Sequence, residues 1–239
     1  MKRMLGWGFV LFIGFVVAFA PAGLLRRATD NLPGLDLTQP SGTIWRGAGQ
    51  VIVDGRLIGT VRWAFQPLSI LRLAPAYNLE LEGEGLDLIG TIEATTDGTH
   101  LEITGRAEAD LFNQYFSTYD LVLSGALSIS TLTATLAGGK ITHMDGEARW
   151  SGGPVRYVLS GRLAATELPP LVAFIKTDQM PTADIFAEGG QTPLMHVQIL
   201  ESGYVKIGVT KSLTKMLNNP WPGGDPDHAV VLEVEEKIF

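Results

Sequence analysis

A two-residue period runs through most of this chain beyond residue 50. Leu57, Gly59, Val61, Trp63 and Phe65 alternate with Ile58, Thr60, Arg62 and Ala64, and Tyr77, Leu79 and Leu81 alternate with Asn78, Glu80 and Glu82. Successive side chains of a strand point to opposite faces of a sheet, so such runs predict half-buried strands. The pattern continues through Leu86–Ile92, Leu101–Ala107, Tyr119–Ser130, Thr131–Ala137, Gly146–Trp150, Val155–Leu163, Met195–Ile199, Val205–Val209 and Ala229–Val234. Asp54-Gly55 and Thr96-Asp97-Gly98 punctuate it as hairpin turns, because glycine accepts positive φ. Helical expectations are short: PLSILRL after the strand-ending Pro67, then Asp110–Phe116, Leu168–Ile175 and Lys211–Asn218. Residues 166–193 mix prolines with apolar residues and show no clean period.

A smaller unit recurs inside the strands. Apolar-x-Gly-x-apolar stands at Leu57–Val61, Leu88–Ile92, Ile103–Ala107, Leu123–Leu127, Met144–Ala148 and Leu159–Leu163. Each glycine shares a face with its apolar neighbours, and its missing side chain permits a bend, a bulge or a close backbone contact. Two readings follow. One is an ordinary β core with glycine at its bends. The other is a strongly curved sheet whose apolar concave face holds a lipid tail or a partner strand.

Ahead of the strands, the 21 residues Leu5–Leu25 carry no charge. At about 1.5 Å per residue a helix of that length spans about 31 Å, enough for a bilayer core. Lys2 and Arg3 precede the run and Arg26 and Arg27 follow it, so the charge bias that sets orientation is weak. A short basic N-terminus stays cytoplasmic, which puts the large C-terminal part outside the inner membrane. A cleaved signal peptide is the rival, with Ala18-Phe19-Ala20 as its small-x-small site. The run exceeds the usual signal core and Pro21 would follow the cut, so an uncleaved anchor is the expectation. Residues 1–27 then form a cytoplasmic tip and transmembrane anchor. Residues 28–42, with two prolines and two glycines, read as an extended connector, and residues 43–239 read as one β domain.

Composition removes several function classes. With no cysteine there is no disulfide, thiol nucleophile or cysteine-held zinc. Setting Lys2 and Arg3 aside leaves 16 basic against 25 acidic residues, a net charge of −9 that argues against nucleic acid as a partner. His100, His143, His196 and His228 are dispersed and none has metal-motif spacing. Asp225, Asp227 and His228 sit among prolines and glycines, as turn residues do. Gly83-Glu84-Gly85 has no helix after it to receive a dinucleotide phosphate, and Gly138-Gly139-Lys140 lacks the first glycine and the hydroxyl of a P-loop. No nucleophile, base and orienter assemble from the pattern, so no catalytic, cofactor or metal residues are assigned.

Between anchor and strands lies Ser41-Gly-Thr-Ile-Trp-Arg-Gly-Ala-Gly-Gln50, too glycine-rich for a helix and too apolar for a linker. Thr43, Trp45, Gly47, Gly49 and Val51 share one strand parity. That parity lets Trp45 cover the membrane-side end of a sheet, against Trp63, and leaves Arg46 on the opposite face for a head group or a partner carboxylate. A basic start, one apolar anchor and S-G-T-[IL]-W-x-G together resemble the type II secretion system protein N family. The hairpin VIVDGRLIGTVRWAFQPLSILR extends the likeness, and Tyr157–Leu163 followed by Leu168–Leu171 is consistent with it.

The resemblance implies a non-enzymatic accessory component of a Gram-negative export machine. It would be a single-pass inner-membrane protein with its C-terminal domain in the periplasm. Its partners would be other inner-membrane subunits of the machine and membrane lipid. The family also looks related to AsmA-like lipid-transfer proteins, which makes a periplasmic lipid-binding module the alternative. The expected fold is mainly β: one N-terminal transmembrane helix, then a curved antiparallel sheet with a few short helices. Thr43, Trp45, Arg46, Gly47 and Trp63 are the candidate contact residues.

Overall fold

The computed structural model describes residues 15–26, 34–116, 120–159, 162–200 and 202–237. The chain divides into two compact units between Glu93 and Ala94. Both are built mainly from antiparallel strands.

In the first unit, β1 (Leu35–Gly42), β2 (Arg46–Val53), β3 (Arg56–Gln66), β4 (Ala76–Gly83) and β5 (Leu86–Ala94) lie side by side in chain order. Asp54 and Gly55 have φ of 49° and 79°, the pair of positive values that a type I′ hairpin requires. The register stacks the apolar parity across the strands: Leu37 faces Val51, Val51 faces Gly59, Val61 faces Leu81, and Leu81 faces Leu88. Gly59 is needed for close approach, since a Cβ there would lie 2.3 Å from the Glu82 carbonyl oxygen. The polar parity carries Arg62 and Glu82, joined by a hydrogen bond of 2.6 Å that raises the guanidinium's pKa.

Two expectations about the N-terminal third change. Residues 35–42 are not a connector: they form β1, because Leu37 buries its side chain with Ala22 and Trp63. The expected transmembrane helix lies partly on residues 1–14, outside the described residues. Of the remainder, only residues 15–18 are α-helical. Pro21 is extended (φ −71°, ψ 146°) and bridges Thr43, and Ala22–Leu25 make a 3-10 turn. A proline has no N–H to continue the helix, and Ala22, 1% exposed, belongs to the sheet's core. Among the described residues, no helix is long and apolar enough to cross a membrane.

The second unit begins with β6 (Thr99–Glu108), α1 (Asp110–Phe116), β7 (Val122–Leu123), β8 (Ala126–Ala137) and β9 (Lys140–Trp150). It continues with β10 (Gly153–Leu159), β11 (Arg162–Leu168), β12 (Leu171–Thr177), β13 (Pro181–Ala187), β14 (Pro193–Ile199), β15 (Tyr204–Thr210), α2 (Lys211–Met216) and β16 (Val230–Lys237). The main order is β6-β8-β9-β12-β13-β14-β15-β16, and β11-β10-β7 form a small separate sheet. β8 is one strand where the period suggested a break after Ser130; its register against β9 shifts between Ile129 and Thr131, so a bulge absorbs the irregularity. The expected strand Val155–Leu163 is instead the hairpin β10–β11, and its turn falls outside the described residues.

The expected helix over Leu168–Ile175 is overturned. Leu171–Thr177 is β12, paired with β9 on one side and β13 on the other. A helix tolerates prolines in its first turn, so Pro169 and Pro170 do not decide the matter; β-branched Val172 and Ile175 suit a strand, and β9 and β13 supply its ladder partners. The aperiodic stretch 166–193 thus holds two strands. The C-terminal contact is more specific than a turn: Thr210 caps α2 by accepting from the Leu213 N–H, and the buried Lys211 ammonium donates to the Gly223 and Asp225 carbonyls at 2.6 and 3.0 Å. That holds the loop 219–228 against α2.

Candidate functional site

One end of the first unit concentrates the sequence-predicted contact residues. Trp63 is 5% exposed, and its indole N–H donates to the Thr43 carbonyl at 3.0 Å. The ring lies over Gly47, its register partner, where a Cβ would stand 2.5 Å from the ring and 2.3 Å from the Ser41 carbonyl oxygen. Gly47 is therefore glycine because Trp63 fills its side-chain space. Leu25, Val61, Tyr77 and Leu79 complete the packing.

Thr43 closes the turn between β1 and β2. Its N–H donates to the Arg46 carbonyl at 2.9 Å, and its hydroxyl accepts from the Arg46 N–H at 3.2 Å. Arg46 projects an exposed side chain on the opposite parity. Trp45 sits in a bend, not in a strand, and stays half-exposed. Its ring meets Phe65 edge-on at 5.0 Å, and Phe65 meets Tyr77 at 5.1 Å. The expected partner of Trp45 was Trp63; the ring it touches is Phe65, the next residue of that parity. Burial pushes the Tyr77 phenol up from its ordinary pKa.

This end also receives the N-terminal segment. The Trp45 indole N–H donates to the Val17 carbonyl at 2.8 Å, the Ile44 N–H donates to the Ala20 carbonyl at 2.9 Å, and Pro21 bridges Thr43. Phe15, Val16, Val17 and Phe19 are exposed just before that junction. The aromatic row Trp45–Phe65–Tyr77 and the docking of residues 17–22 were missed by the sequence reading. The only sequence signal for them was Phe65 continuing the parity of Trp63.

Elsewhere several titratable groups bond within the fold. His196 pairs with Asp184 at 2.6 Å across β13 and β14, and the His100 ring bonds the hydroxyls of Thr95 and Thr135. Asp227 takes the Lys215 ammonium at 2.5 Å, which holds its carboxyl below the usual range. Among the described residues, no three of His, Asp or Glu are placed to hold a metal. An open depression of about 560 Å³ lies among the β8–β9, β12–β13 and β14–β15 turns, lined by Lys140, Met180 and Leu200 among others.

The fold is mainly antiparallel β, with an aromatic edge of Trp45, Phe65 and Tyr77 beside the incoming apolar segment. A family model for the type II secretion system (T2SS), protein N, matches residues 33–215, more than three quarters of the chain. The chain belongs to that family, which ties it to type II secretion. Nothing among the curated proteins or the solved structures compared with it matches.

Proposed function

We propose that this protein is a non-enzymatic accessory component of the type II secretion machine, held at the inner membrane by its apolar N-terminal run. Both β units then lie on the periplasmic side and contact other inner-membrane subunits. The family match over residues 33–215 carries this reading. The aromatic edge supports it, because an apolar run ending at a rigid sheet gives the anchor a fixed exit. On this reading the membrane segment ends by Phe19, since Ala20, Pro21 and Ala22 join that edge. Deleting the encoding gene should reduce co-purification of the machine's inner-membrane subunits with one another. Unchanged recovery of every such subunit would exclude a role through subunit contacts.

Lipid binding is the second reading. The observation favouring it is the half-exposed apolar parity of the first unit, with Val61, Tyr77, Leu79 and Leu81 on one face. A kinship with AsmA-like proteins would fit this, although fold kinship alone does not establish lipid transfer. Native mass spectrometry of gently extracted protein should then retain phospholipid. Protein that is lipid-free under every extraction condition excludes it.

A further inference from the structure

The connection from β3 to β4 is turned inside out. In the 3-10 helix Pro67–Arg72 the small polar residue faces inward and the leucines face solvent. Ser69, 1% exposed, donates to the Gln66 carbonyl at 2.5 Å and accepts from the Ala76 N–H at 2.9 Å, which staples the two strand ends together. Leu68, Leu71 and Leu73 are 76%, 81% and 84% exposed, and Ile70 is exposed beside them. Leu73 holds a left-handed conformation, φ 56°, that favours glycine or asparagine. A loop that faced only water would gain nothing from four such side chains.

Its position identifies the occupant. Gln66 pairs with Ala76 and Phe65 with Tyr77, and Phe65 rests against Trp45, whose indole holds the Val17 carbonyl. At about 4.8 Å per strand, the leucines hang from the end of the sheet where the N-terminal segment arrives, two or three strand widths away. On the anchor reading the membrane segment ends by Phe19, so the sheet end that bonds the Val17 and Ala20 carbonyls stands at the head groups. This end carries Arg26, Arg46 and Arg72, and residues 15–26, 41–47 and 63–78 contain no carboxylate. Apolar side chains interspersed with arginine suit a bilayer surface that includes anionic head groups.

We propose that Leu68, Ile70, Leu71 and Leu73 insert into the periplasmic leaflet of the same bilayer as a second, shallow membrane contact. The chain would then meet the membrane at two points, so the first unit cannot swivel about its anchor. This inference rests on the membrane-anchor reading, and the test separates the two. The natural chain has no cysteine, so Leu71→Cys, Glu84→Cys and Phe15→Cys each introduce one labelling site in the full chain. Glu84 lies in the β4–β5 turn, about 25 Å along the strand from the leucine loop. Each variant is labelled with an environment-sensitive dye and reconstituted in phosphatidylethanolamine–phosphatidylglycerol vesicles, with or without lipid carrying a shallow nitroxide.

The proposal expects blue-shifted emission at position 71 that the nitroxide quenches, and neither effect at position 84. Position 71 behaving like position 84, while position 15 is quenched, overturns the second contact and leaves the anchor standing. A blue shift at 71 without quenching means that protein covers the leucines, and it also overturns the proposal. No quenching at 15 or 71 overturns both readings.

Discussion

Two indoles eighteen residues apart divide one task at the end of the first unit. Trp63 is the core residue, enclosed by Ala22, Leu37 and the space above Gly47, whereas Trp45 spans outward from Phe65 to the N-terminal segment. Trp63→Ala should lose about 3–5 kcal/mol of stability, the usual effect of truncating a buried aromatic. Trp45→Ala removes one hydrogen bond and one edge-on ring contact, about 1–2 kcal/mol. Thermal melts of the two variants check the order, and a larger loss at Trp45 would contradict it. Gly47→Ala should also destabilise, by about 1–3 kcal/mol, because the new methyl meets backbone on one side and the indole on the other. With Trp63→Ala in the background that loss should shrink, since one of the two clashes is gone. Parity put Gly47 and Trp63 each on a definite strand face, but their pairing comes from the register and was not read from the sequence. Which indole turned inward was not legible, because the bend at Ile44–Trp45 interrupts the alternation from which parity is counted.

At the scale of elements, period 2 located the strands whose residues alternate apolar with polar and lost those whose sequence does not alternate. β3, β4, β14 and β15 were readable for the first reason. β12 and β13 were not, because LVAFIKT and PTADIFA do not alternate apolar with polar residues and stand among prolines. In hydrogen exchange, amides of β12 should be protected longer than those of β16, which has one neighbour in the order. Equal exchange would contradict the central placement of β12. The loop 219–228 offers a pH test. The Asp227 carboxyl is depressed by Lys215, so its contribution is present above the ordinary carboxylate pKa and lost as pH falls through the lowered value. Wild type and Asp227→Asn should therefore differ in loop protection at neutral pH and converge in acid, well below pH 4. No difference at neutral pH would mean that the Lys211 contacts to Gly223 and Asp225, not the ion pair, set the loop's stability.

For the whole molecule, membership in the protein N family places the chain in type II secretion, and the built edge around residues 17–22, 43–47 and 63–77 suggests how it is held there. The mainly β character and the family motif were legible early. The packing of Ala22 with Leu37 and Trp63 was not, because composition cannot show which residue of an apolar run enters a protein core. The most direct test is the distribution of a type II exoprotein between periplasm and medium in cells lacking this gene. The account predicts periplasmic retention, relieved by the full chain and not by a chain beginning at Ala20. Export that continues undiminished without the gene would contradict it.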